Sequence, residues 1–166
     1  MPLREARCYR RVKRPYTRKE YIKSIPPSKI RKYEFGNRKG DYDYVYRIIA
    51  EIPFQLRSNA IEAFRLGLLG QLRNVSKENY FVIIHAHPHH ILRRHAMAGG
   101  HKAERLQKGM RLAFGKPDGR AAQLDKGSRI ASIMGYSKDE EAIKNAIRVA
   151  ASKLPPYIKI IRENLK

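Results

Sequence analysis

The sequence predicts a single domain of mixed α-helix and β-strand that carries two strongly basic segments. Its 166 residues, 42% of them hydrophobic, are enough for one domain of ordinary size with a buried core. Apolar residues recur at strand spacing in some stretches and at helix spacing in others. The 36 Lys and Arg side chains outnumber the 15 Asp and Glu, which gives a formal net charge of +21 and indicates a polyanionic partner.

The first half of the domain is predicted to contain two strands and a helix. Residues 42–52 alternate between a face of tyrosines and isoleucines and a more polar face, which indicates a half-buried strand. Residues 59–75 carry an apolar stripe at helical spacing, with Asn59 as the expected N-cap and Glu62 completing a capping box. Residues 80–87 indicate a second strand, which should end at the proline that follows.

A long loop is predicted next, because residues 95–120 are rich in glycine and basic side chains. A short helix is possible at about 102–114, but Gly109 in its middle costs about 1 kcal/mol relative to Ala. We expect this helix to be marginal alone and to become ordered against a partner. A loop of this length in a compact domain is often functional.

The last part of the chain is predicted to form three strands and one helix. Residues 120–124 and 129–135 indicate two strands joined by a turn. The sequence Ser-Lys-Asp-Glu beginning at Ser137 is typical of a capping box and should open a helix that continues to about residue 153. Two prolines then end the helix, and residues 157–161 form the last predicted strand.

The positive charge is concentrated in two segments. Residues 1–40 contain 14 basic and 3 acidic side chains, a net charge of +11, and residues 93–120 contain 8 and 2, a net charge of +6. The remaining 98 residues carry only +4. Aromatic rings stand between the bases of the first segment, and such rings can stack on nucleobases and riboses. This distribution indicates extended arms that neutralise the phosphates of folded RNA.

Composition excludes several classes of protein. The single cysteine, Cys8, rules out an internal disulfide framework and any multi-cysteine zinc motif. No apolar run approaches the roughly 20 residues that a membrane span requires, and no signal-peptide core follows the basic N-terminus. Pro15, Pro26 and Pro27 interrupt the basic arm, which argues against an amphipathic membrane helix. We expect a soluble intracellular protein.

Five of the six histidines lie between residues 85 and 95. His85 and His87 are two residues apart on the predicted strand and would face the same side, as two metal ligands could. However, no acidic residue lies nearby in sequence, and Arg93 and Arg94 would repel a cation. No nucleophile or orienting carboxylate accompanies the rings either. We therefore expect no metal, no cofactor and no catalytic residue, and interpret these histidines as stacking and hydrogen-bonding groups whose protonated form nearby phosphates would favour.

Six stretches that together span nearly the whole chain carry a family resemblance. They are ARCYR (6–10), KRPYTRKEYIKSIPPSKI (13–30), SNAIEAFRL (58–66), HPHHILR (87–93), ERLQKGMRLAFGKPDGRAA (104–122) and AASKLP (150–155). The chain resembles the universal large-subunit ribosomal protein family L sixteen, called L ten e in archaea and eukaryotes. The short segment after the last strand is similar to archaeal members. Lys102 and Glu104 depart from the glycine and aspartate usual in the loop of this family.

The resemblance implies an α/β (α+β) two-layer sandwich, in which helices pack on a mixed, largely antiparallel sheet. It implies a structural constituent of the large ribosomal subunit, a monomer within the cytoplasmic ribosome, which contacts 23S-type rRNA and neighbouring ribosomal proteins and lies close to 5S rRNA. The loop at about 98–114 would extend toward the peptidyl transferase centre, near the A-site and P-site tRNAs. The protein would brace the RNA that positions the tRNAs and would not act as an enzyme.

We expect residues 1–40 to form a basic N-terminal arm packed on or extending from the domain. Residues 41–166 should form a single α/β domain, with a protruding RNA-facing and tRNA-facing loop at about 95–120. The side chains expected to contact rRNA are Arg4, Arg7, Arg10, Arg11, Lys13, Arg14, Tyr16, Arg18, Lys19, Lys23, Lys29, Arg31, His89, His90, Arg93 and Arg94. Those expected in the loop near the tRNAs are Lys102, Arg105, Gln107, Lys108, Gly109, Met110, Arg111 and Lys116.

Two alternative functions remain open. The first is a metal-dependent RNA-processing enzyme that uses His85, His87, His89 and His90, which stoichiometric zinc, lost together with an activity on His-to-Ala changes, would support. The second is an extraribosomal RNA chaperone, for which charge alone would suffice. Co-migration with large subunits after a high-salt wash would favour the ribosomal interpretation.

Overall fold

The computed structural model describes residues 12–95, 97, 109–111 and 113–165, and in these ranges the chain forms eight strands and two α-helices. The strands are β1 (Glu34–Gly36), β2 (Tyr44–Ala50), β3 (Phe54–Arg57), β4 (Tyr80–Ile84), β5 (His90–Arg94), β6 (Lys116–Leu124), β7 (Arg129–Gly135) and β8 (Ile158–Asn164). The helices are α1 (Ser58–Gln71) and α2 (Glu140–Ala151). Short 3-10 turns lie at Lys19–Tyr21, Leu72–Asn74 and Ser137–Asp139.

The strands form two separate sheets. Five strands lie in the order β1-β4-β7-β2-β8, and three lie in the order β3-β6-β5. All six strand pairings between described residues are antiparallel. The predicted fold class, helices packed on largely antiparallel β-structure, is confirmed, with the β-structure divided into two sheets.

One hydrophobic core joins both sheets to both helices. It contains Ile48 of β2, Leu56 of β3 and Ile133 of β7, together with Phe64 of α1 and Ile143 of α2, and all five side chains are almost fully buried. Apolar residues at i, i+3, i+4 and i+7 place one face of each helix in this core. Packing of α1 and α2 on the strands is therefore what fixes the position of the basic segments at the surface.

The strands predicted at 42–52, 80–87, 120–124, 129–135 and 157–161 correspond to β2, β4, β6, β7 and β8. Strand β6 begins earlier than expected, at Lys116, so the predicted loop is shorter at this end. Strands β1, β3 and β5 were not predicted. Two of them have only three or four residues, and β5 lies within the histidine-rich stretch, where its apolar pair Ile91 and Leu92 shows no alternation.

The predicted N-cap of α1 is wrong. The helix begins at Ser58, and the preceding Arg57 has extended backbone angles and no capping side-chain hydrogen bond, so Asn59 lies within the first turn. The helix ends at Gln71 and is followed by a 3-10 turn, close to the predicted end.

The predicted capping box of α2 is also wrong. The backbone N–H and hydroxyl of Ser137 both donate to Asp43 Oδ2, at 2.9 and 3.1 Å. The carboxylate of Glu140 accepts hydrogen bonds from the hydroxyl of Tyr46 at 2.9 Å and the guanidinium of Arg162 at 2.8 Å. Because tertiary partners take both side chains, a 3-10 turn replaces the box and α2 begins at Glu140.

The predicted helix at 102–114 lies largely outside the described residues. In its described part, Gly109, Met110 and Arg111 belong to a turn, and the N–H of Ala113 donates to the carbonyl of Met110 at 3.1 Å. A search of the helices in the described ranges found none that is long and apolar enough to cross a membrane.

Candidate nucleic-acid interface

The described part of the N-terminal segment, residues 12–40, is attached to the domain at several points. Ile22 and Ile30 are buried, at 6% and 2% exposure. The Arg120 Nε donates to the carbonyl of Pro26 at 2.7 Å, and the carbonyl of Tyr33 accepts from the N–H of Ile84 at 2.8 Å. Strand β1 then pairs with β4. The apolar residues of this segment therefore fix its path along the domain.

The basic side chains of the same segment point the other way. Those predicted to contact rRNA and described in the structure are all exposed: Lys13, Arg14, Arg18, Lys19, Lys23, Lys29 and Arg31. Arg4, Arg7, Arg10 and Arg11 lie outside the described residues. The segment thus combines buried apolar anchors with a surface row of cations, as a phosphate-binding arm requires.

Tyr16 attaches the arm to β5 through two backbone hydrogen bonds. Its N–H donates to His90 Nδ1 at 2.8 Å, and its carbonyl accepts from the N–H of Ile91 at 3.0 Å. His90 is only 9% exposed, and burial, followed by the charges of His89 and Arg93, lowers its pKa. A ring nitrogen that accepts a hydrogen bond carries no proton, so His90 is neutral here, contrary to the protonated form expected from the sequence.

Arg93 of β5 lies between an aromatic ring of the arm and one of the loop. Its Cζ atom is 3.7 Å from the ring centroid of Phe114 and 4.9 Å from that of Tyr16. The two rings are also in edge contact, with centroids 5.5 Å apart at 85°. We call Tyr16, His90, Arg93 and Phe114 the arm–loop junction. It brings together two basic segments that are far apart in sequence.

The base of the loop is closed by contacts between β5 and the residues before β6. The ring of His95 donates from Nε2 to the carbonyl of Gly109 at 2.7 Å. Gly115 has a φ of +81°, and a Cβ atom at this position would lie 2.7 Å from the backbone carbon of Arg94. Only glycine combines this backbone conformation with so close an approach. The loop therefore leaves and re-enters the domain at a fixed place.

The other histidines are dispersed. Nε2 of His85 lies 2.9 Å from the hydroxyl of Ser132, and burial, followed by the charges of Arg129 and His87, lowers its pKa. The ring of His87 packs on Tyr33, with centroids 4.2 Å apart, and His89 is exposed. Among the described residues, no group of three or more His, Cys, Asp or Glu side chains could hold a metal ion.

The predicted tRNA-facing residues are only partly described. Lys102, Arg105, Gln107 and Lys108 lie outside the described residues. Met110, Arg111 and Lys116 are exposed, and Gly109 lies in the turn at the base of the loop. Arg94 is exposed at the end of β5, next to Lys116 in the strand pairing.

Sequence reasoning missed Phe114, which is 63% exposed. The available signal was an aromatic residue inside the basic segment 93–120, the same combination that drew attention to the arm. It also missed Arg120, which binds the carbonyl of Pro26 and so attaches the arm from the side of β6.

Comparison with known proteins identifies this architecture. The sequence model of the family described as Ribosomal protein L16p/L10e matches residues 10–161. A protein of Sulfolobus acidocaldarius named large ribosomal subunit protein uL16 is 45% identical over 164 residues, which cover 96% of this chain and 93% of that protein. Proteins of the same name from Staphylothermus marinus and Archaeoglobus fulgidus are 45% and 41% identical and cover 100% and 98% of this chain.

These matches define the class of the chain, an α+β ribosomal protein. The match extends over nearly the whole length of both partners, 100% of this chain and 97% of the Staphylothermus marinus relative. The chain belongs to the ribosomal protein L16p/L10e family, and the resemblance found in its sequence motifs is confirmed.

Proposed function

We propose that this protein is a structural constituent of the large ribosomal subunit and binds large-subunit rRNA through its N-terminal arm and the base of its basic loop. The observation that carries the proposal is the arm–loop junction. It places a row of exposed arm cations beside Arg93, Arg94 and Lys116 at the end of β5 and the start of β6. Family membership supports the same function.

The electrostatics fit a folded RNA. Each Lys or Arg that neutralises a phosphate releases a counterion, and 6 to 10 such contacts weaken binding about 10³- to 10⁵-fold between 50 and 200 mM salt. The arm alone exposes at least that order of contacts: Lys13, Arg14, Arg18, Lys19, Lys23, Lys29 and Arg31. Phosphate contacts of this kind set position and orientation, whereas they read no sequence. They suit a protein that is placed once in an assembly.

The loop gives the protein its place in translation. We propose that residues 98–114 extend toward the peptidyl transferase centre, near the A-site and P-site tRNAs, and that the protein also meets 5S rRNA and neighbouring ribosomal proteins. The fixed base of the loop at His95 and Gly115 supports this role, because a loop that braces RNA needs a rigid origin. The protein acts as a monomer in the cytoplasmic ribosome and contributes by binding, not by catalysis.

Charge reversal tests the surface. The change of Lys13, Arg14 and Arg18 to Glu removes three arm cations and should abolish retention on large subunits after a high-salt wash. The matched control changes Lys144, Arg148 and Lys153, exposed on and just after α2, to Glu. It alters the net charge equally and should leave retention close to that of the unchanged protein.

Sedimentation of large subunits, with the bound protein quantified, measures the result. Equal losses in both variants would mean that only total charge matters and that the arm is not the binding surface. Crosslinks in cells that fall mainly on messenger RNA would contradict the ribosomal role itself and favour the RNA chaperone.

A further inference from the structure

Phe114 differs from the other phenylalanines of the chain. Phe54, Phe64 and Phe81 are 0%, 0% and 6% exposed, and Phe35 is packed against the core. Phe114 is 63% exposed, although an apolar ring of this size gains much by leaving water. An exposed ring in a fixed position is a reason to look for a ligand that covers it.

The ring has one covered face and one open face. The guanidinium of Arg93 lies over it at 3.7 Å, and the ring of Tyr16 meets it at 85°. Since these neighbours occupy one face and one edge, most of the exposed area belongs to the opposite face. That face is flat, apolar and directed to solvent, which is the geometry of a stacking surface.

The position of the ring is set by rigid neighbours. Arg93 is held on β5 opposite Pro117 of β6, and both backbone polar groups of Tyr16 are bound to β5. Gly115, directly after Phe114, approaches the backbone of Arg94 too closely to allow a side chain. A ligand that stacks on Phe114 therefore finds a surface already in place, with little ordering cost.

The surroundings indicate the chemistry of the ligand. Arg94, Arg111 and Lys116 are exposed within a few residues of Phe114 or on the paired strand. A purely apolar protein partner would have to desolvate these cations, whereas a nucleotide offers a ring for Phe114 and phosphates for the cations. Arg93 below the ring adds a cation–π contribution of the kind found in single-strand binding sites.

We propose that Phe114, backed by Arg93 and edged by Tyr16, is the stacking site for one unpaired nucleobase of RNA. The site accepts any base, because stacking uses the face common to all bases and no hydrogen-bonding group of the site reads an edge. This inference rests on the proposed RNA-binding function and adds a defined subsite to it. Phosphate contacts would hold the RNA, and the base on Phe114 would fix its register.

A tryptophan at position 114 reports stacking directly. The chain contains no tryptophan, so Phe114→Trp introduces a single indole fluorophore at the proposed site. A short adenosine oligomer should quench its fluorescence, whereas an abasic ribose-phosphate oligomer of equal length and charge should not. Equal quenching by the two oligomers, or quenching by neither at saturating concentration, would overturn the proposal.

Affinity provides the second measurement. Phe114→Leu should weaken binding of the adenosine oligomer by roughly 5- to 150-fold, the range for loss of one stacked base, while the salt dependence stays unchanged because no charge is lost. Tyr21→Leu is the matched control, an aromatic residue 72% exposed in the basic arm, and should change affinity less than about twofold. A Phe114→Leu protein that binds as tightly as the unchanged protein, or no more weakly than Tyr21→Leu, contradicts the site.

The two proposals fail in different ways. If the unchanged protein binds neither oligomer, the RNA-binding function itself is wrong. If it binds both with equal affinity and a steep salt dependence, RNA binding stands and only the stacking site is wrong. Thermal unfolding of Phe114→Leu should match that of the unchanged protein, since the ring is exposed, which separates loss of binding from loss of fold.

Discussion

Arginine has different uses in the two halves of this molecule. Within the five-stranded sheet and its helices, Arg47 binds Glu163 and Arg162 binds Glu140, both at 2.8 Å, and Arg65 binds Glu62. At the arm–loop junction, Arg93 lies between two aromatic rings instead. In the first region the positive charge is offset by a carboxylate of the same chain. In the second it is left available to a polyanion while its planar group orders the ring beside it.

The same contrast applies to the phenylalanines, and it gives the largest predicted difference. Phe64→Ala removes a fully buried ring of α1 and should lower the free energy of unfolding by about 3–5 kcal/mol. Phe114→Ala should lower it by no more than about 1 kcal/mol, since only the exposed contact with Arg93 is lost. Urea unfolding followed by circular dichroism measures both values.

If Phe64→Ala does not fold, Phe64→Leu gives the same comparison with a smaller loss. Equal destabilisation at positions 64 and 114 would show that the arm–loop junction is part of the core and would break the contrast between the two regions.

Two glycines test how firmly the base of the loop is fixed. Gly115 and Gly127 both have positive φ, +81° and +85°, but only Gly115 has backbone atoms where a Cβ would lie. Gly127→Ala should therefore cost about 1 kcal/mol for the backbone conformation alone. Gly115→Ala should cost about 3 kcal/mol, because the backbone of Arg94 must move as well. The free energies of unfolding of the two variants decide the question, and equal costs would mean that the loop base yields easily.

The smallest predicted effect concerns pH. Burial lowers the pKa of His90 below its unfolded value, so the unfolded chain binds more protons than the folded chain as the pH falls through about 6.5. The stability that depends on neutral His90 is complete above that pH and is lost progressively as the pH drops toward the folded pKa. His85, whose pKa is also lowered, contributes in the same direction.

His90→Asn isolates the contribution of His90, because the amide oxygen can accept the Tyr16 N–H but does not titrate in this range. Unfolding free energies between pH 5 and 8 should depend less on pH in this variant than in the unchanged protein. His89→Asn, a change at an exposed neighbour, should keep most of the dependence. An unchanged pH profile in His90→Asn would show that the arm does not depend on the ring being neutral.

Elements whose burial follows local periodicity could be predicted from the sequence. Strand β2 alternates Tyr44, Tyr46 and Ile48 toward the core, and α2 places Ile143 and Ile147 on one face, so both were found. Strand β5 could not be found in this way. Its adjacent residues Ile91 and Leu92 are both buried, at 3% and 4% exposure, which breaks the alternation that marks a strand with one open face.

The candidate site was predictable as a pair of basic segments but not as a junction. The histidine-rich stretch looked like a single cluster because it is continuous in sequence. In the fold it leads from β4 to β5, two strands of different sheets, so His85 meets Ser132 while His90 meets Tyr16. Likewise, the open face of Phe114 depends on Arg93 and Tyr16, and no local pattern reveals that they would meet. Side chains that take distant partners, such as Ser137 with Asp43, escaped prediction for the same reason.

The bond between Tyr16 and His90 also has a consequence for the order of folding. The two residues are 74 positions apart, so a ribosome making this chain releases Tyr16 well before its partner exists. Strand β5, at the end of its sheet's order, offers unpaired backbone groups until the arm arrives, and such margins invite pairing with other chains. Closure over this long separation is slow compared with local helix formation. During synthesis the N-terminal cations are thus free of the domain, and the newly made arm can meet RNA before it meets its own strand.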